Sequence, residues 1–191
     1  MKPLKLKILA LLILPALLCA CPKEKARKGT EDGKEQVEAA EVRTPFKTIE
    51  ADGAGFSISV PKDWNVQKGG GNPVVFASAP GSDKNGPSTN VVVEELSQRM
   101  APYDYLEANL VTMQISLPNL EVLQQGTGLH SGIQMAWILY TYPRDEVKVV
   151  ALTYCQTRNY TAYVVTSMCP ADRFDQYKSV FVKIGQSLRV K

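Results

Sequence analysis

The segment Phe56-Ser57-Ile58-Ser59-Val60 alternates apolar and polar residues without a break, the period-two signature of a half-buried strand. Pro61, Lys62 and Asp63 then turn the chain toward Trp64. Gly69-Gly70-Gly71-Asn72-Pro73 predicts a loop, followed by a returning strand at residues 74–77. A longer loop with two glycines and two prolines covers 78–88, and residues 90–96 form the third strand. The period then changes. Leu106, Leu110, Met113 and Leu117 recur at spacings of 4, 3 and 4, which predicts a helix whose stripe faces the sheet. Asp104 with Glu107 three positions on reads as its capping box, and Pro118 stops it.

Residues 120–127 return to a strand, turned by 128–132, and 134–142, 147–156 and 160–167 predict a meander with turns at 143–146 and 157–159. A last helix starts at Ala171 or Asp172, with Phe174, Tyr177, Phe181, Ile184 and Leu188 as its apolar stripe. The meander decides the architecture. Val149, Ala151, Thr153 and Cys155 point to one side of their strand and Val150, Leu152 and Tyr154 to the other, and neither set is polar. Met135, Trp137 and Leu139 against Ala136, Ile138 and Tyr140 repeat the pattern. Both faces must be covered, so the expected class is α+β: an antiparallel sheet with helices packed on both faces.

The amino terminus reads differently. Lys2, Lys5 and Lys7 precede an apolar run from Ile8 to Ala20, thirteen residues broken by Pro15, which predicts a secretory signal over 1–20. Thirteen residues fall short of the roughly 20 needed to span a bilayer. Leu18-Cys19-Ala20-Cys21 resembles the bacterial lipobox, in which the cysteine, here Cys21, receives diacylglycerol and the chain is cut before it. Two or three acyl chains, at about 0.8 kcal/mol per buried methylene, exceed what stable anchoring requires. The expected location is the bacterial cell envelope, and Pro22 after the cysteine leans toward the periplasmic face of the outer membrane.

Residues 21–47 then form the lipidated cysteine and a charged tether, with 48–191 as one domain. The whole chain carries 22 basic and 19 acidic residues; without the three signal lysines the balance is 19 against 19. The basicity belongs to export. A neutral remainder lacks the footprint of a nucleic-acid binder, so no nucleic-acid partner is expected.

Candidate chemistry is sparse. His130 is the only histidine, and Gly128-Leu129-His130-Ser131-Gly132 places its serine one position too late for a nucleophile elbow. One histidine and no CxxC give too few ligands for zinc or iron, so no metal and no cofactor are expected. Asp83-Lys84-Asn85-Gly86 begins like a calcium loop but lacks the later carboxylates. Gly69 to Gly71 are not followed by Gly-Lys-Ser/Thr and read as a hairpin loop. Trp64 and Trp137 read as core. Cys155 and Cys169 are a candidate disulfide for an oxidising compartment, but a turn centred near 158 leaves them some seven residues out of register, over ~20 Å, so free thiols are favoured.

Gly55-Phe56-Ser57-Ile58-Ser59-Val60-Pro61-Lys62-Asp63-Trp64, the Val75-Phe76 strand, the helix near 104–116, the tyrosine-rich meander and the closing Gln186-Ser187-Leu188-Arg189-Val190 together resemble the PsbP-like fold. This group includes bacterial DcrB-like lipoproteins. The resemblance implies an αβα sandwich used as a binding platform, with no catalytic residues to carry over. Two functions from different classes follow. The favoured one is a membrane-anchored, non-catalytic binding or accessory module for an envelope protein or ligand, with no catalytic residue. The alternative is an envelope hydrolase or transferase using carboxylates such as Glu94, Glu95, Asp145 and Glu146.

Overall fold

The computed structural model describes residues 44–191. The signal at 1–20, Cys21 and most of the expected tether lie outside the described residues. The first strand, β1 (Phe46–Ala51), already occupies the last two tether positions and runs antiparallel to β2 (Phe56–Pro61), with Ile49 opposite Ile58. It escapes sequence patterning because only Ile49 and Ala51 are fully inward, between charged Lys47 and Glu50.

Ten strands form two antiparallel sheets. The larger comprises β3 (Asn65–Lys68), β4 (Val75–Ser78), β5 (Ser88–Glu95), β6 (Glu121–His130), β7 (Ile133–Arg144), β8 (Val147–Arg158) and β9 (Thr161–Pro170), in the order β3-β4-β5-β9-β8-β7-β6. The smaller sheet is β1-β2-β10, where β10 (Arg189–Val190) returns antiparallel to β2. Helix α1 (Pro102–Ser116) contacts β7 and β8; α2 (Phe174–Gln186) contacts β8, β9 and β2.

Two cores result, one on each side of the large sheet. Ala136, Ile138, Tyr140, Val149, Ala151 and Cys155 pack with Leu106 and Tyr105 of α1. Met135, Leu139, Val150, Leu152, Tyr154 and Cys169 pack with Phe181 and Ile184 of α2 and with Phe56, Ile58 and Val60 of the small sheet. The expected α+β class with both faces covered is therefore the observed fold. Phe181, Ile184 and Leu188 are fully buried, each contributing about 1.5–3 kcal/mol of transfer free energy.

Several local readings need correction. The capping box does not form: the cap of α1 is Ala101, without a side-chain bond, and Pro102 starts the helix, a position where its missing N–H costs nothing. Strand β6 runs on to His130, so the 128–132 turn contracts to Ser131 and Gly132, both at positive φ. The next two hairpins tighten likewise, at Asp145-Glu146, both with φ above zero, and at Asn159-Tyr160, where Asn159 has φ 56°. Two-residue loops of this kind match the right-handed twist of their strands, and the apolar strands outlast the turn signals.

The later turn shifts the register, so that Cys155 sits opposite Val164 and Cys169 opposite Val150. The two thiols are free, buried, and belong to opposite cores.

Gly185 lets α2 approach β8 closely: a Cβ there would overlap the ring of Tyr154. Gly185→Ala should lower unfolding stability by roughly 1–3 kcal/mol, as overpacking does. In Tyr154→Leu, where the ring is gone, the added methyl should cost less, and thermal unfolding of the four-member cycle reads the coupling.

Candidate functional site

The β3–β4 hairpin is tied both across itself and to β5. Gly69 N–H donates to the Val74 carbonyl at 2.9 Å, and Asn72 bonds to the backbone of β5 in both directions: its Nδ2 donates to the Val93 carbonyl at 3.1 Å and its Oδ1 accepts from Val93 N–H at 3.2 Å. An amide side chain thus stands in for a strand residue and holds the loop open. Between it and the end of β1 lies a cleft of about 760 Å³. One wall is the main chain of Gly69, Gly70 and Gly71, and the other is Glu50, Ala51 and the 3-10 turn Asp52–Ala54; Val74, Val93 and Glu95 complete the lining. Cβ atoms at Gly70 or Gly71 would meet nothing within 4 Å, so this wall is bare backbone.

Charge is concentrated at the rim. Lys191 Nζ lies 2.8 Å from Glu50 Oε2 and 2.5 Å from Asp52 Oδ1, and its own N–H donates to the Gly55 carbonyl at 2.8 Å. Lys68 Nζ donates to the Glu50 carbonyl at 2.7 Å. The hydrogen bond and charge of Lys191 hold the Asp52 carboxyl below its ordinary range, and bonds to Asp52 and Glu50 push the Lys191 ammonium up. The lining carries three carboxylates, Glu50, Asp52 and Glu95, and the Lys68 ammonium, and Lys191 at the rim pairs with two of the three.

The residues singled out from sequence lie elsewhere, with one exception. Glu95 lines the cleft, whereas Glu94 points the other way and accepts a 2.5 Å bond from the Tyr105 hydroxyl. Burial, then the bond to Glu94, raises the Tyr105 pKa. Asp145 pairs with Lys84 at 2.8 Å in the β7–β8 turn. Glu94 and Glu95 pair with Ala162 and Thr161, beside Arg158 at the far end of β8 from that turn; at ~3.4 Å per residue the two acidic pairs are roughly 35 Å apart. The four carboxylates do not converge.

His130 ends β6 with its Nε2 3.4 Å from Arg189 Nη2, and Ser131 occupies the hairpin turn. Asp83 Oδ1 accepts from Asn85 N–H at 2.9 Å, closing a turn around Gly86, whose Cβ would strike Ser82. Among the described residues, no three His, Cys, Asp or Glu side chains are grouped to hold a metal. Burial pushes the Cys169 thiol up to about 12 and raises that of Cys155 further. Trp64 is core, as expected. Trp137 is only partly buried; its ring lies against Gly126 and walls a separate 180 Å³ hollow with Leu139, Phe174 and Val182. The cleft itself was missed: the triglycine carried the signal, but its opposite wall is distant in sequence.

These layered antiparallel sheets flanked by two helices define an α+β fold, and solved structures share it. The cyanobacterial PsbP of Synechocystis sp. PCC 6803 matches at TM-score 0.62 and 14% identity, covering 83% of this chain and 100% of its own. LpqN, involved in cell envelope biogenesis of Mycobacterium tuberculosis, matches at 0.58 and 11%, covering 77% and 86%. The Saccharomyces cerevisiae Ran-binding protein Mog1p matches at 0.55 and 13%, covering 77% and 96%. The PsbP-like resemblance therefore holds at the level of fold. No curated protein matches the sequence. The chain belongs to the family described as the serine/threonine kinase C-terminal domain, whose model matches residues 48–190. That description names a domain by its place in a kinase chain and assigns it no reaction.

The rim ion pair makes a pH prediction. A carboxyl titrating below its ordinary 3.8 contributes stability above that pH and loses it as pH falls through the lowered value. NMR titration of Asp52 should give a midpoint below 3.8, moving back toward it in Lys191→Met and in high salt.

Proposed function

We propose that the chain is a membrane-anchored, non-catalytic accessory module of the bacterial cell envelope that offers the cleft beside Gly69, Gly70 and Gly71 to a cationic group of an envelope partner. The observation that carries this reading is the cleft. Its volume of about 760 Å³ falls within the few hundred to roughly 1,000 Å³ of binding pockets. Its bare backbone supplies hydrogen-bonding groups, and Lys191, bridging Glu50 and Asp52, already seats one ammonium at the rim. The four carboxylates of the hydrolase reading, Glu94, Glu95, Asp145 and Glu146, are dispersed.

The anchor rests on other observations: the lysine-flanked apolar run and Leu18-Cys19-Ala20-Cys21, with acyl chains on Cys21 holding the chain to the membrane. Pro22 favours the outer membrane's periplasmic face over the inner membrane. Involvement in cell envelope biogenesis by LpqN, and Ran binding by Mog1p, are the kind of work this fold carries in other chains.

Two experiments test the two halves separately. Cys21→Ala should move the full-length protein from the membrane fraction to a soluble or unprocessed form; unchanged processing and partitioning would overturn the anchor. A photo-crosslinking residue at Gly71 should give discrete adducts in intact cells that a crosslinker at Asp63 does not. Those adducts should weaken at least tenfold when Glu50→Gln and Asp52→Asn remove the rim charge. Identical adducts from both positions, or adducts indifferent to the rim charge, would sink the cleft as the binding site.

A further inference from the structure

Strand β6 is the outer strand of the large sheet and pairs only with β7. Among the described residues no strand pairs with its other side, which is ten residues long. Proteins ordinarily guard such an edge with charge, proline or brevity. The opposite edge follows that rule: β3 has four residues, and its Lys68 is tied to the Glu50 carbonyl. Strand β6 does not, since Glu121 at its start is its only Asp, Glu, Lys or Arg and it has no proline. Six of the seven exposed large hydrophobic residues among those described lie on β6, on the first residue of β7 or on α1, with Leu129 at 77% and Ile115 at 78% exposure.

The α1 residues belong to the same surface. Tyr103, Glu107, Val111 and Ile115 follow one another at four-residue spacing and so form one ridge of the helix. Its first member accepts a 3.1 Å bond from Gln125 of β6. The ridge therefore runs beside β6, on the face to which Gln125 and Thr127, and by alternation Leu129, point, because the β7 partners of the first two, Ile138 and Ala136, belong to the core beneath α1.

We infer that β6 pairs antiparallel with β6 of a second copy of this chain, about a two-fold axis at Thr127 perpendicular to the sheet. A register irregularity between Val122 and Gln124 restricts the regular ladder to 124–130, whose midpoint is Thr127. In that register Gln124 faces His130, Gln125 faces Leu129, Gly126 faces Gly128 and Thr127 faces its own mate. Every opposed pair shares a face, and no two acids or two bases meet. The same axis keeps both α1 helices on one side; α1 ends at the turn Leu117–Leu120 that opens β6, so Val111 and Ile115 lie toward the Glu121 end, level with the β6–β7 hairpin of the second copy, and the contact closes as an isologous dimer. The paired segment, seven residues or ~24 Å long and about 20 Å broad, offers on the order of 500 Å² per copy, below the ~800 Å² per partner of a standard interface and in the range of a weak contact that a shared membrane surface would support. This inference is independent of the cleft.

Directly opposed residues in an antiparallel pair sit ~4.5–5.5 Å apart at Cα, within disulfide reach. Full-length Thr127→Cys, oxidised in its membrane, should run at twice its mass without reductant, while Asp63→Cys should not. The parent chain, whose Cys155 and Cys169 are buried and whose Cys19 and Cys21 lie in the amino-terminal segment, is oxidised alongside and sets the background. On the Thr127→Cys background, Gln125→Lys with Leu129→Lys opposes like charges and should cut the dimer at least tenfold, whereas Gln125→Glu with Leu129→Lys opposes unlike charges and should retain it. These side chains are exposed, and circular dichroism checks that each variant folds. Monomer alone from Thr127→Cys, a mixed disulfide with another protein in place of the homodimer, or equal yields from the two charge variants would overturn the inference.

Discussion

Eight consecutive residues of β8, Val149 through Gln156, are buried, and the rest of the domain is arranged to make that so. A strand with no solvent face cannot sit in a one-sided sheet. It needs a layer above and a layer below, and its alternating side chains divide the interior into two cores that share no volume. Ala151 and Cys155 belong to the core beneath α1, and Leu152 and Tyr154 to that beneath α2. The polar members of the run find partners where they stand, with one atom left over: Thr153 shares a 3.0 Å hydrogen bond with Thr166 of β9, and Gln156 Nε2 donates to the Leu188 carbonyl at 3.3 Å while its buried Oε1 has no partner among the described residues. Buried groups without partners would cost about 1–3 kcal/mol each.

The last of these bonds links the core to the cleft. Gln156 reaches the chain just after α2, where Leu188 is fully buried and Ser187 Oγ accepts from Ser59 N–H at 2.8 Å. From there β10 can run only along β2, which brings Lys191 to Glu50 and Asp52. One wall of the cleft thus depends on how α2 packs, and α2 packs where Gly185 lets its backbone meet the Tyr154 ring. The exposed ion pair itself contributes little to stability. Its placement is a consequence of the core.

This division explains what was legible in the sequence. The two-sided burial could be read from Val149 to Cys155 because alternation with no polar face has only one structural solution. The stripes of both helices follow from the same logic: Leu106, Phe181 and Ile184 are at the centre of their cores. Turn positions were less legible, since the residues with positive φ at 131–132, 145–146 and 159 lie inside wider runs of turn-forming residues, and strand pairing chose among them. Strand β10 has two residues and β1 two inward side chains, too few for a periodic signal. The cleft was illegible for another reason. Its walls, at 50–54 and 68–72, meet only because two sheets are layered, and the side chain that props the loop, Asn72, looks like any turn asparagine.

The strand order separates the two surfaces on which interactions are proposed. The cleft lies beside β3 and β4, at one edge of the large sheet, and β6 forms the other. Pairing through β6 therefore leaves each cleft open and sets them at opposite ends of a continuous fourteen-stranded sheet, on the order of 60 Å apart at ~4.8 Å per strand. Lipid anchoring would confine both copies to one membrane surface, where the effective concentration for pairing is high and a partner with two cationic sites would engage both clefts with an avidity neither has alone. Wild-type edge pairing of this kind needs no strong interface in solution, because the membrane supplies the proximity. The low charge of β6 and the charged rim of the cleft are then consistent with one division of labour across the sheet, self-association at one edge and ligand binding at the other.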